Sequence, residues 1–186
     1  MNEQPSLTEV ILPEALKFHR AFQSLLLATA DAAGNPNASY APYVADADGY
    51  YIYISELAAH TGNLRCRAVA SVLFIEDERD AKHLFGRKRL TLDCRAEPVE
   101  RGTLAWTAIM DRFAEMHGSF MATLRDLQDF QLFRLNPVMA VYVRGFAQAY
   151  ELSGEQLQQI RHINDRGHRP GSAAAETALA GAEELS

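Results

Sequence analysis

The sequence predicts a mainly β fold with interspersed helices, an antiparallel barrel with short helices at its ends. Three observations carry that expectation. Six or seven short runs of apolar, aromatic or β-branched residues recur along the chain, as strands prefer, the clearest being Tyr50, Tyr51, Ile52, Tyr53 and Ile54. Clusters of Gly, Asn, Asp and Pro punctuate those runs. The helical stretches between them do not alternate strictly with strands, which argues against a wound parallel sheet. A chain of 186 residues fits one domain whose core needs no disulfide or metal. The organisation expected is an N-terminal extension over residues 1–12, a barrel domain with its C-terminal helix and candidate ligand segment over 13–168, and a flexible tail over 169–186.

The elements follow in order. Pro13 suits a first helical turn, and Leu16, Phe18, Phe22 and Leu25 recur near helical spacing, so a helix is expected over residues 13–23. Residues 25–30 form an apolar strand, closed by turn chemistry at Asp31, Gly34, Asn35 and Pro36. A strand over 37–44, a polar turn ending at Gly49 and the aromatic strand 50–54 come next. Residues 57–65 fit a short helix. The nearly continuous apolar run 69–75 predicts a strand buried on both faces. Residues 77–84 suit a helical turn. Residues 89–96 set Leu90, Leu92 and Cys94 against Arg89, Thr91 and Asp93, which predicts a half-exposed strand. A long helix is expected over 97–117, ended by Gly118, with a shorter one reaching Leu127. Two strands, 130–135 and 138–143, are expected around Asn136 and Pro137, with another over 145–150. Leu157 and Ile160 give a short amphipathic turn, and the Ala/Glu-rich stretch 173–186 lacks the large apolar groups of a packed element.

Composition excludes several classes of function. With 18 basic and 24 acidic side chains the formal charge is −6, which disfavours nucleic acid as a partner. No apolar run approaches the roughly 18 residues needed to cross a bilayer, so membrane insertion is not expected. The first residues lack the basic start and apolar stretch of a signal peptide, which predicts a cytoplasmic protein. Two cysteines, Cys66 and Cys94, make no disulfide framework. Metal-protease, paired-cysteine, serine-hydrolase and phosphate-loop motifs do not occur.

Four groups of residues could carry chemistry. His168, beside Gly167 and Pro170, follows the last strand with no apolar period to pack it into a core. It can donate an imidazole to a metal or simply lie in solvent. Arg87 and Arg89 belong to the one dense cationic cluster. If they share a strand face they could take carboxylates or a phosphate in bidentate fashion, or pair with Glu76, Asp77 and Glu78. Asp129 lies at the entry to a strand, where it could serve a turn or hold the far nitrogen of a metal-bound imidazole. His60 starts a short helix, where backbone amides favour an anion.

Taken together, several stretches resemble the haem-utilisation branch of the pyridoxamine-phosphate-oxidase-like superfamily, the HugZ/HutZ type. They are residues 27–42, 54–55 with 60–64, 71–78, 84–91, 127–135 and 145–150. The resemblance spans about residues 16–168 and is specific as a set. It implies an FMN-binding split β-barrel that forms a homodimer and binds haem b. By that resemblance His168 is the axial ligand of the haem iron, and Asp129 orients or polarises it. Ser24 lies near that aspartate at the dimer interface, Arg87 and Arg89 hold the haem propionates, and His60 stands close to the haem. The activity implied is oxidative degradation of haem to a biliverdin-type product with iron release, fed by an external electron donor or reductase. An FMN-dependent oxidoreductase of the same fold and a non-catalytic haem store or carrier remain open. In FMN-binding relatives a phosphate-binding lysine falls where His60 stands here.

Overall fold

The computed structural model describes residues 6–47, 49–163, 172–174 and 177. The first helix, α1, runs over Leu7–Phe18, six residues earlier than Pro13 suggested. A capping box explains the start: Glu9 N–H donates to Ser6 Oγ, and Ser6 N–H donates to the Glu9 carboxylate at 2.7 Å. Pro13 therefore sits inside the helix rather than opening it.

The strands are β1 (Ser24–Ala30), β2 (Pro36–Asp46), β3 (Gly49–Ser55), β4 (Val69–Ile75), β5 (Arg89–Val99), β6 (Phe130–Gly145), β7 (Gln148–Ser153) and β8 (Gln159–His162). Helix α2 covers Ala59–Cys66, α3 Leu104–His117 and α4 Phe120–Asp126. The strand order is β3-β2-β1-β4-β5-β6-β7-β8, and a further pairing of β3 with β6 closes β1 to β6 into a barrel. This is the mainly β split barrel expected from the sequence.

Several elements differ from expectation for physical reasons. Strand β4 alternates, with Ala70, Val72 and Phe74 buried and the intervening residues open, so only one face is covered. Residues 97–99 extend β5, and the turn through Gly102 (φ +82) delays α3 until Thr103, whose hydroxyl accepts Trp106 N–H at 3.1 Å. Asn136 and Pro137 do not break the chain. Strand β6 runs through them, and Pro137 falls between the β3 ladder, which ends at Leu135, and the β7 ladder, which starts at Ala140. Residues 77–84 contain turns, with a 3-10 turn only at Leu84–Gly86. Ile160 lies on strand β8, too short to show a period. Of the C-terminal stretch 173–186, only three residues are among those described.

The chain divides into two compact units. One comprises residues 1–21, 73–92 and 139–186. In it Ile11 and Ala15 of α1 are buried, and Phe18 packs against Tyr142 at 6.0 Å between ring centroids. Tyr142 donates to Glu14 at 3.0 Å, and Glu14 also pairs with Arg144. The other unit comprises residues 22–72 and 93–138. Its core joins Val44, Tyr51, Tyr53 and Leu132 to Trp106, Ile109, Met110, Phe113 and Met121 of α3 and α4. Burial of such aromatic and aliphatic side chains contributes about 1.5–3 kcal/mol each. Gly49 opens β3 at φ +145, and a Cβ there would stand 2.6 Å from Leu135 O, so the β3–β6 seam requires glycine.

Candidate functional site

Asp129 occupies the turn between α4 and β6, and the β3–β6 register fixes its surroundings. Ser55 pairs with Phe130, which brings the end of β3 alongside residue 129. Glu56 N–H donates to Asp129 O at 2.7 Å, and the Ser55 hydroxyl donates to Asp129 Oδ2 at 3.1 Å. Ser55 Oγ in turn accepts Leu57 N–H at 3.1 Å, so the hydroxyl hydrogen is committed to the carboxylate. Oδ1 carries no hydrogen bond among the described residues. A carboxylate with one oxygen anchored and one spare can accept an imidazole N–H.

A second polar group forms where α2 packs on β1 and β2. His60, Thr61 and Asn63 are buried on α2, and Asn63 donates to Thr29 Oγ1 at 2.9 Å. His60 Nδ1 lies 2.9 Å from Ser39 Oγ, and the Ser39 hydroxyl donates to Leu27 O at 3.3 Å. Ser39 Oγ thus bridges the imidazole and the β1 backbone. Burial pushes the imidazolium pKa below its ordinary value, which favours the neutral ring. A neutral His60 carries no permanent positive charge.

Arg87 and Arg89 belong to the other unit. Arg87 precedes β5, and its guanidinium is turned to its own neighbours. Nε and Nη2 donate to Glu76 O, and Nη1 pairs with Glu78 at 3.2 Å. Arg89 opens β5 and donates to Arg87 O at 3.2 Å. The two therefore do not form one free fork: Arg87 holds the hairpin, and Arg89 has the less committed head group. Ser24 opens β1 on an exposed face with Leu26 and Ala28, paired in register with Pro42, Tyr40 and Ala38. His168 lies outside the described residues. The structure thus describes Asp129, Ser24 and His60 within one unit and the arginines within the other. Ser39 and Ser55, which fix His60 and Asp129, were not singled out in the sequence. Only the inward period of β2 and the β3–β6 register mark them.

The pyridoxamine 5'-phosphate oxidase family model matches residues 11–144. The haem oxygenase HutZ of Vibrio cholerae is 45% identical over 157 residues, which cover 84% of this chain and 89% of HutZ. The chain belongs to the HutZ-type branch of the pyridoxamine 5'-phosphate oxidase-like family. Among solved structures, HutZ of Vibrio cholerae, described there as a haem storage protein, is 46% identical with a TM-score of 0.64. The match covers 67% of this chain and 88% of that one. ChuZ of Campylobacter jejuni is 32% identical with a TM-score of 0.80, over 91% of this chain and 68% of that one. Membership of this HutZ-type branch agrees with the resemblance read from the sequence. Among the described residues no helix is long and apolar enough to cross a membrane, and no cluster of three or more His, Cys, Asp or Glu could hold a metal ion.

Proposed function

We propose that this protein binds haem b as a homodimer and opens the macrocycle oxidatively, giving a biliverdin-type product and free iron, with electrons from an external donor or reductase. The observation that carries the reading is Asp129, held by Ser55 and Glu56 with Oδ1 uncommitted, in a chain 45% identical to a haem oxygenase. Haem supplies the iron that activates oxygen and the carbon skeleton that is cleaved. His168 is the axial ligand in this reading. Asp129 Oδ1 accepts the imidazole's second N–H, fixing its tautomer and raising its basicity. Arg89 pairs with a propionate, and Arg87 holds the hairpin that presents it. His60 offers its neutral imidazole beside the macrocycle.

The dimer rests on the outer face of β1 and β2. Leu26 (46% exposed) faces Tyr40 (67% exposed) across the ladder, next to exposed Ala28, Ala38 and Pro42. A second copy covering this strip would bring Ser24 into the interface and close the open apolar face. Cys66 and Cys94 form no disulfide among the described residues, which suits a reducing cytoplasm.

Two other readings have support of their own. The family match keeps an FMN-dependent oxidoreductase in view. Against it, a neutral His60 supplies no fixed charge for a flavin phosphate. The storage description of HutZ favours a carrier without turnover. Hemin titration of the purified protein, followed by ascorbate under air, separates the three. Degradation predicts a Soret band altered strongly by His168→Ala, then its decay with release of chelatable iron. A stable Soret band with reductant present would leave only storage. A yellow protein that releases flavin on heating and ignores hemin would establish the FMN reading.

A further inference from the structure

Arg101, far from Asp129 in sequence, controls the segment that carries it. It lies in the turn between β5 and α3, and its guanidinium donates to three main-chain carbonyls. Nη1 reaches Arg125 O at 2.6 Å, while Nη2 reaches Leu127 O at 2.7 Å and Phe130 O at 3.0 Å. Nη2 also lies 2.7 Å from Tyr53 Oη, and the Tyr53 hydroxyl donates to Leu124 O at 3.3 Å. The guanidinium carbon stands 5.0 Å from the Trp106 ring centroid, which fixes its plane.

Those carbonyls bracket Asp129 on both sides. Arg125 O and Leu127 O sit at the C-terminal end of α4, where unpaired carbonyls gather negative charge and any cation would help. Phe130 O does not belong to that helix end. It lies beyond Asp129, on the first residue of β6, and capping alone does not require it. Nη2 alone ties the chain before and after the carboxylate, and Nη1 adds Arg125 O, so a side chain without donors loses all three contacts.

We propose that Arg101 is a positioning residue for Asp129, setting the backbone from which the carboxylate reaches the haem-ligating imidazole. The inference rests on the haem reading of Asp129, so its test has one arm independent of haem. In hemin-free full-length protein, Arg101→Met speeds exchange of the Glu56 amide, whose acceptor is Asp129 O, by roughly tenfold or more. In the hemin complex, Arg101→Met and Asp129→Asn each weaken binding several-fold and shift the iron–imidazole stretching frequency the same way. The double variant binds within about twofold of Asp129→Asn alone, because the two residues act through one interaction. Unchanged Glu56 exchange, or losses that multiply in the double variant, would overturn the proposal. If Asp129→Asn itself leaves hemin binding unchanged, the haem reading fails while the exchange result still decides whether Arg101 holds the segment. Should Arg101→Met not fold, Tyr53→Phe removes one acceptor of the guanidinium and reads the same exchange. Faster exchange in Tyr53→Phe supports the clamp, and unchanged exchange overturns it.

Discussion

Acid should weaken this protein through His19, whose ring lies in the unit containing α1. It follows α1 directly, half-buried, with its centroid 5.9 Å from that of Phe74. Burial, with the Arg20 charge beside it, lowers its pKa from 6.5 to about 4. A cation at a helix C-terminus would gain about 0.3–1 kcal/mol from the helix dipole, less than the desolvation that opposes it here. The sign follows from proton counting. Between pH 6.5 and about 4 the unfolded chain binds a proton at His19 that the folded chain refuses. Stability is therefore intact above the unfolded pKa and is lost as pH falls toward the folded one. From pH 7.5 to 5.0 the unscreened loss is about 2 kcal/mol, at 1.36 kcal/mol per unit below 6.5. Solvent screening of a half-buried ring reduces this to about 1 kcal/mol. Urea unfolding of the wild type and His19→Gln at both pH values isolates this contribution, because the carboxylates are common to both proteins. The wild type should lose about 1 kcal/mol more than the variant, or roughly 2–4 °C in Tm for a chain of this size. Equal losses in the two proteins would refute the assignment.

Two further outcomes follow from the second unit. Gly49→Ala places a Cβ 2.6 Å from Leu135 O at a φ of +145 and should cost about 2 kcal/mol or more in urea unfolding. A loss below about 0.5 kcal/mol would mean that the β3–β6 seam moves freely there. Ser39→Ala removes the hydroxyl hydrogen-bonded to His60 Nδ1 and should cost about 1–2 kcal/mol. The Nδ1 chemical shift should then move as that hydrogen bond is lost, whereas an unchanged shift would remove Ser39 from its assigned role.

Local pattern made the barrel legible. The alternation in β5 appears because a strand with one buried face repeats every two residues, whereas the aromatic run in β3 is continuous because residues 49–54 are buried on both faces. Ends were harder to read. Asn136 and Pro137 carry turn chemistry, yet β6 continues through them, between the stretch paired with β3 and the stretch paired with β7. Strand β8 has only four residues, too few for any period to register. Asp129 and His60 were visible as residues of the right type, but their hydroxyl partners were not. Ser55 acts on Asp129 across 74 positions, and Ser39 on His60 across 21, distances set by strand register and helix packing.

The same separation explains how Asp129 can be placed firmly on a turn. A loop carboxylate ordinarily pays side-chain entropy for any fixed orientation. Here two remote pieces of chain share that work. The end of β3 contributes Ser55 and Glu56, the turn before α3 contributes Arg101, and β3 also supplies Tyr53 beneath the guanidinium. Each holds a different atom group: Oδ2, the carbonyl of residue 129, and the carbonyls on either side of it. Loss of one partner therefore loosens the carboxylate without unfolding the turn, and Oδ1 stays free for an incoming donor. An oxygen left open among the described residues, on a segment held at these atoms, suits the orienting role proposed for Asp129.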